Sequence, residues 1–358
     1  MPTIDLVLAG VPLEIETQSL RLIDLFTDYF GYYSPRVRQA DDRPAESLVK
    51  CGIRLRLICV EQLAGVDSYL PAGARRISQT GVLGFWSFDG EGGAGYCFHT
   101  EVAAFRVDLQ SGEIVGHVAP RAFDYPHILA NTYAMFPLLL LLRERGIYHL
   151  HAAAVVSPRG QVWLISGAQR AGKTTLTTAL GLAGWRPISD DSLLVKGGSG
   201  VDGERGIEIL ALRKYFHLGD QLLERWSGLR GMVRHHQYLD RTCVGALDFF
   251  GTRELAELPW RKVDHLLLPM ISHGERSRLV PRPASEGLMM LGEQSVYLQL
   301  WGERTKEQWH LLGQIARGAT TFRLESGLDL LDEPTLVARI LAEVEGQGSS
   351  GDGQEVEG

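Results

Sequence analysis

Apolar positions along the chain follow two rhythms. Residues 3–16 place them at nearly every second position, which is strand spacing, whereas Leu22, Phe26, Tyr29 and Phe30 within 19–30 recur at helical spacing. A polar stretch, 34–46, follows. Then come short apolar segments divided by Gly and Pro at 48–60, 81–88, 95–98, 102–109 and 114–118. Runs of that length with turn residues between them predict short strands, hence a small β-rich α+β N-terminal domain over 1–125.

The rhythm changes near residues 125–128. Residues 131–145 predict a helix with Gly146 as its C-cap. Residues 150–156 predict a strand, Pro158-Arg159-Gly160 a turn, and 162–166 a second strand. A loop at 167–172 leads into a predicted helix over 173–183, stopped at Gly184. Residues 186–189 form the next predicted strand, which ends at Asp190-Asp191. Strand, loop, helix and strand in that order predict a βαβ unit with parallel pairing. Further on, 207–212, 263–269 and 322–324 have strand character. Residues 220–229, 285–291, 305–316 and 334–345 have helical character. The second domain is placed at 126–345, and the fold class is α/β. The tail, 346–358, is Gly, Ser, Gln and acid without an apolar anchor, which predicts disorder.

Composition narrows the class. The chain has 358 residues, enough for two domains, and 45% apolar with 22% charged residues is ordinary for a globular protein. A net charge of −7 lacks the basic surplus of a nucleic-acid binder, so no nucleic-acid partner is expected. Four cysteines without a CxxC pair suit reduced thiols in a cytoplasmic protein. The first residues have no basic n-region, so no signal peptide is expected. The most apolar run, 134–142, is about half of a bilayer span and runs into Arg143-Glu144-Arg145, so no membrane partner is expected.

Three features carry chemistry. The first is Gly167-Ala168-Gln169-Arg170-Ala171-Gly172-Lys173-Thr174-Thr175, which matches GxxxxGK[ST] between a predicted strand and a predicted helix. Glycines at 167 and 172 let several backbone N–H groups face one anion, and the helix start at Lys173 adds its positive dipole end. Lys173 suits the β- and γ-phosphates, and the Thr174 hydroxyl suits Mg²⁺. The bland alternative is a chance Gly-rich turn.

The second feature is Asp190-Asp191, seventeen residues after Lys173. That spacing carries the chain down one helix and back up one strand, to the strand edge where ligands of open α/β sheets bind. One carboxylate there suits Mg²⁺, and the other suits the proton of an attacking hydroxyl. The bland alternative is a helix-capping Asp with a solvated neighbour. The third feature is His151, with His149 two residues earlier on the same face. It reads either as a packed core histidine or as an imidazole near the phosphates.

Taken together, His151-Ala152-Ala153-Ala154, the loop 167–175 and Ser189-Asp190-Asp191 resemble the HPr serine kinase/phosphorylase family. The resemblance is good over 145–195 and weaker to about 340, where the chain looks like the more distant HPr-kinase-like proteins, including lasso-peptide kinases. His151 is followed by Ala152 where the family has Gly. The resemblance implies a P-loop kinase domain of the type shared with phosphoenolpyruvate carboxykinase. It implies ATP and Mg²⁺ as cofactors, and transfer of the γ-phosphate to a serine hydroxyl of a protein or peptide. It gives the general-base role to Asp190, the Mg²⁺ side to Asp191 with Thr174, and a place near the phosphates to His151. Lys173 keeps its phosphate role. It also implies a homo-oligomer.

Two weaker assignments concern Glu208, as a metal ligand, and Arg213, as a phosphate clamp. Arg276-Ser277-Arg278 and the run 230–236 read either as substrate contacts or as solvated surface. The competing functions are a small-molecule phosphotransferase and a non-catalytic nucleotide-binding regulator; the acid pair argues against the second.

Overall fold

The computed structural model describes residues 2–33, 35–38, 52–80, 83–90, 93–198, 207–212, 215–219, 223, 224, 226, 237, 238, 241–245, 261–272, 274–300 and 302–347. The chain divides into two compact units, 1–147 and 148–358.

The first unit begins with a hairpin. Strands β1 (Thr3–Leu8) and β2 (Val11–Thr17) pair antiparallel across Ala9 and Gly10, both at positive φ, as a two-residue hairpin turn requires. Seven more strands follow: β3 (Arg36–Arg38), β4 (Ile53–Cys59), β5 (Arg75–Thr80), β6 (Leu83–Gly90), β7 (Gly93–His99), β8 (Ala103–Asp108) and β9 (Glu113–Val118). Together they form one nine-stranded sheet in the order β3-β1-β2-β4-β9-β8-β7-β6-β5. Pairing is parallel between β2 and β4 and between β4 and β9, and antiparallel through the meander β5 to β9.

Register sorts the two faces. Ile4, Ile15, Leu55, Ile114 and Val107 lie opposite one another across five strands, and all are buried. One residue along, Asp5, Glu14, Arg54 and Glu113 line up on the other face. Arg38, Arg54 and Arg56 knit these acids and Glu16 into a ladder of ion pairs. A one-residue slip would exchange the faces, so the alternation fixes the register.

Helix α1 (Leu20–Tyr29) starts at the cap residue Ser19, whose hydroxyl accepts from the Leu22 N–H, and it buries Leu22, Ile23 and Phe26. The helix predicted over 131–145 opens as π-helical turns at Leu129–Ala134 and continues as α2 (Met135–Glu144). Its Phe136 ring meets Phe85 and Phe98 edge-on at 5.7 and 4.7 Å. This helix packs within the first unit. Burial pushes the Cys97 thiol up to about 11, and Cys97 and Cys59 are both free thiols.

The second unit holds three sheets among the described residues. The central one has six strands in the order β13-β11-β12-β20-β22-β21, made of β11 (Ala153–Val156), β12 (Val162–Ile165), β13 (Arg186–Ser189), β20 (His265–Ile271), β21 (Arg278–Pro281) and β22 (Thr320–Ser326). Strands β12, β20 and β22 are parallel. A four-stranded antiparallel sheet, β10-β14-β15-β19, is built from β10 (Tyr148–Leu150), β14 (Leu193–Gly197), β15 (Ile207–Ala211) and β19 (Arg261–Lys262). The third sheet joins β16 (Tyr215–Gly219), β17 (Gln237–Tyr238) and β18 (Arg241–Gly245).

Apolar residues run continuously along the central strands because both faces are covered. Ala153, Val155, Trp163 and Ile165 pack on one side with α3 (Lys173–Leu182) and α6 (Leu336–Gln347). Ala154, Val156, Val162 and Leu164 pack on the other with the second sheet, α4 (Ala284–Glu293) and α5 (Glu303–Gly318). The result is a mixed α/β fold with several sheets.

Two expectations need correcting. The segment 150–156 is two strands rather than one: β10 belongs to the second sheet and β11 to the central sheet. Nor do β12 and β13 pair. The turn at 157–161 closes β11 against β12 as an antiparallel hairpin, with Val156 opposite Val162, and β13 then docks on the far side of β11. The helix expected at 220–229 lies largely outside the described residues, as does the tail beyond Gln347. Among the described residues, no helix is long and apolar enough to cross a membrane.

Candidate functional site

Because β11 is antiparallel to both of its neighbours, β12 and β13 run in the same direction and end at the same sheet edge. Ala153 of β11 pairs with Ile165, and Ala154 pairs with Ser189. The start of β11 therefore lies between the end of the strand that leads into the 167–172 loop and the end of the acid-pair strand. For this reason Asp190-Asp191 and the 167–172 loop lie at one sheet edge, although the pairing expected between their strands differs.

The loop leaves β12 after the buried Ser166, whose N–H donates to the Leu267 carbonyl at 3.0 Å. It turns at 168–171, where the Ala171 N–H donates to the Ala168 carbonyl at 3.1 Å. Arg170 (φ 68°) and Gly172 (φ 96°) both take left-handed backbone. Gly172 is the N-cap of α3 and carries no side chain that could compete for the first N–H groups of the helix. Ala168, Gln169 and Arg170 are exposed, as is Thr175.

Lys173 is 7% exposed, and its ammonium donates to the Gly167 carbonyl at 2.7 Å and the Ala168 carbonyl at 3.2 Å. The cation is thus held across the mouth of the loop. The Thr174 hydroxyl donates to Asp190 Oδ2 at 3.3 Å. Asp190 is 1% exposed, while Asp191 is half-buried. A helix N-terminus, an ammonium and a hydroxyl–carboxylate pair in one place can take a polyphosphate and its hard divalent cation. Among the described residues, no three His, Cys, Asp or Glu side chains cluster as a metal site. Mg²⁺ at a phosphate loop needs fewer, since it keeps waters and phosphate oxygens as ligands. The Thr174–Asp190 oxygens fit such a site.

The acid pair sits in a tight turn. The Ser189 hydroxyl accepts from the Ser192 N–H at 3.1 Å and donates to the Ser192 carbonyl at 2.9 Å. The Ser192 hydroxyl is hydrogen-bonded to His149 Nε2 at 2.8 Å. His151 lies between β10 and β11, where the chain crosses from one sheet to the other, and its N–H donates to the Gln294 carbonyl at 3.0 Å. It is placed at the shared edge but outside any strand. His149 and the two serines were not singled out for this task by sequence. The Ser-Asp-Asp-Ser string was the available signal, since serine hydroxyls favour local turns.

The weaker candidates separate. Glu208 pairs with Lys196, both across the strands and as an ion pair at 3.6 Å. That is three residues along β15 from Ala211, which lies opposite Leu193 beside the acid turn, so Glu208 is about 10 Å away along the ladder. It is not a ligand at this edge. Arg213 and the run 230–236 lie outside the described residues. Arg278 pairs with Glu325 at 2.9 Å, and Arg276 is exposed. Between them, the Ser277 hydroxyl and N–H donate to Asp329 at 2.5 and 2.8 Å. Burial alone would raise the Asp329 carboxyl; these bonds and the Leu330 N–H outweigh it and hold the carboxyl below its ordinary value.

No known protein family matches the chain by sequence, and no curated protein matches it. Among solved structures, the HPr(Ser) kinase/phosphatase from Coxiella burnetii is similar over 56% of this chain and 98% of that one, at 12% identity and a TM-score of 0.27. A likeness that distant decides nothing about activity.

Proposed function

We propose that this chain is an ATP- and Mg²⁺-dependent cytoplasmic kinase that transfers the γ-phosphate to a serine hydroxyl of a protein or peptide. The observation that carries the proposal is the contact at 3.3 Å between the Thr174 hydroxyl and Asp190. It brings the acid turn against the first helical turn of the phosphate loop, so a carboxylate stands where a triphosphate and its cation would be held. The loop N–H groups and Lys173 bind and orient the phosphates. Mg²⁺, when bound, supplies neutralisation of charge on the β- and γ-oxygens. The serine oxygen forms a bond to the γ-phosphorus while the bond to the β,γ-bridging oxygen breaks. ADP leaves, and the hydroxyl proton passes to a carboxylate.

The resemblance assigns that proton to Asp190 and the metal side to Asp191. The Thr174 contact favours the opposite division, with buried Asp190 beside the metal-binding hydroxyl and Asp191, the less buried of the two, given to the acceptor. Phosphate transfer from labelled ATP to serine peptides with Mg²⁺ tests both the function and the division. On our division, Asp191→Asn lowers transfer by about 10²- to 10⁴-fold with nucleotide affinity kept. Asp190→Asn lowers transfer and also the Mg²⁺-dependent part of that affinity. Wild-type transfer rates in both variants would refute the kinase reading. Binding without any turnover in the wild type would favour the regulator instead.

A further inference from the structure

We infer that His149 and Ser192 are a positioning pair that pins the acid turn to the second sheet and so sets the place of Asp190 against Thr174. The inference rests on the proposed metal-assisted use of that site.

The turn at 189–192 is held from several sides. Its internal bonds, from Ser189 to Ser192, fix its shape but not where it points. On one side it hangs from β13. On the other, the chain enters β14, and the Leu212 N–H donates to the Ser192 carbonyl at 3.1 Å. A side-chain tether from another strand is the 2.8 Å bond between Ser192 and His149. His149 sits on β10 opposite Leu194, so it reaches the turn from the neighbouring strand. Behind it, the buried Tyr297 ring meets the imidazole edge-on, at 6.4 Å and 87°.

Ser192 is 4% exposed, so its hydroxyl must find a protein partner. Two residues back, Asp190 makes its contact to Thr174. A shift of the turn by a fraction of an ångström would break a 3.3 Å contact, whereas the phosphate loop, held by β12 and α3, would not move. The pair should thus govern what depends on the acid turn and leave unchanged what depends on the loop alone.

The test uses the full-length chain and a fluorescent ATP analogue, titrated with and without Mg²⁺. The gain in affinity from Mg²⁺ reports the acid turn, and the affinity without Mg²⁺ reports the loop. His149→Leu and Ser192→Ala should each reduce the Mg²⁺ gain by about 3- to 10-fold, the range of one hydrogen bond, with Mg²⁺-free affinity unchanged. The double variant should lose no more than either single one, because both remove the same bond. His149→Gln, which keeps a nitrogen or oxygen within reach of Ser192, should recover most of the gain. In transfer assays the same variants should lower kcat rather than raise the KM for the acceptor.

An undiminished Mg²⁺ gain in His149→Leu overturns the inference. So does His149→Gln behaving as badly as His149→Leu, since packing alone would then explain the effect. If the wild-type protein shows no Mg²⁺ gain at all, the proposed function fails and this inference with it. A wild-type gain with insensitive variants sinks the inference alone.

Discussion

The loop at 167–172 takes left-handed backbone at Arg170 and at Gly172. Gly172 has φ 96° and ψ 12°, and a Cβ built there meets nothing within 4 Å. Gly172→Ala is therefore a nearly pure backbone perturbation: it adds no clash and removes no side-chain contact. An L-residue in left-handed backbone costs about 1–2 kcal/mol. Gly184, at the other end of the same helix, has φ 89° and equally open space, so it serves as a matched control. At Gly184 the cost can appear only as lost stability, about 2–8 °C in Tm for a unit of about 200 residues.

At Gly172 there are two outlets. Either the loop keeps its shape and the unit loses the same 1–2 kcal/mol, or the loop relaxes and nucleotide affinity falls by about 5- to 30-fold, the same energy seen in binding. The stability and binding losses should then sum to about that amount. Urea unfolding followed by tryptophan fluorescence measures the first quantity, because Trp163 and Trp185 are buried in the cluster that α3 covers. Titration with the fluorescent ATP analogue measures the second. Two results would refute the reasoning: Gly172→Ala matching the wild type in both assays, or Gly184→Ala weakening nucleotide binding as much as Gly172→Ala.

Two further outcomes concern the support beneath the site. The Trp163 indole N–H donates to Glu345 at 2.7 Å, with both residues buried, so Glu345→Ala should destabilise the second unit by about 1–3 kcal/mol. Glu345→Gln, which keeps an acceptor, should cost clearly less in the same urea assay; equal costs would show that the bond is unimportant. Burial holds the His265 imidazole below its ordinary value of 6.5, outweighing the nearby acids Asp264 and Glu345, which act to raise it. The unfolded chain then binds the proton more readily than the folded one. The contribution of His265 to stability is present above about pH 6.5 and is lost as pH falls from there through its depressed folded value. His265→Gln should flatten the decline in unfolding free energy between pH 7.5 and 5.5, and an unchanged slope would assign it to other groups.

How much was legible in the sequence depends on whether local or long-range order decided the outcome. The loop, its flanking strand and its helix were legible because turn glycines and helix starts are local signals, and the observed α3 begins at Lys173 as the motif requires. The strands of the first unit from β6 to β9 were legible because each is a short apolar run bounded by turn residues. Strand β5, Arg75–Thr80, was missed, since a polar edge strand carries little apolar pattern. The break between β10 and β11 was missed for a different reason. Leu150, Ala152, Ala153 and Ala154 are all buried, so nothing in their polarity marks the passage from one sheet to the next. The His149–Ser192 bond joins residues 43 apart, and no spacing rule predicts it.

The misread strand order bears on the chemistry. Parallel neighbours would put the loop strand and the acid strand about 5 Å apart, with no room for a third element between their ends. With β11 inserted, β12 and β13 are two spacings apart, about 10 Å. Their carboxyl ends flank the start of an antiparallel strand, so the residues that precede it, His151 and Ala152, occupy the gap. Helix α3 crosses back over this gap far enough for Thr174 to reach Asp190. The edge is thus wider than a simple βαβ crossover allows. The sheet-to-sheet crossing that carries His151 lies between the end of the loop strand and the end of the acid strand. On the proposed function, a terminal phosphate at the loop and an incoming hydroxyl at the acid turn would use that extra width between them. The inserted strand is what provides it.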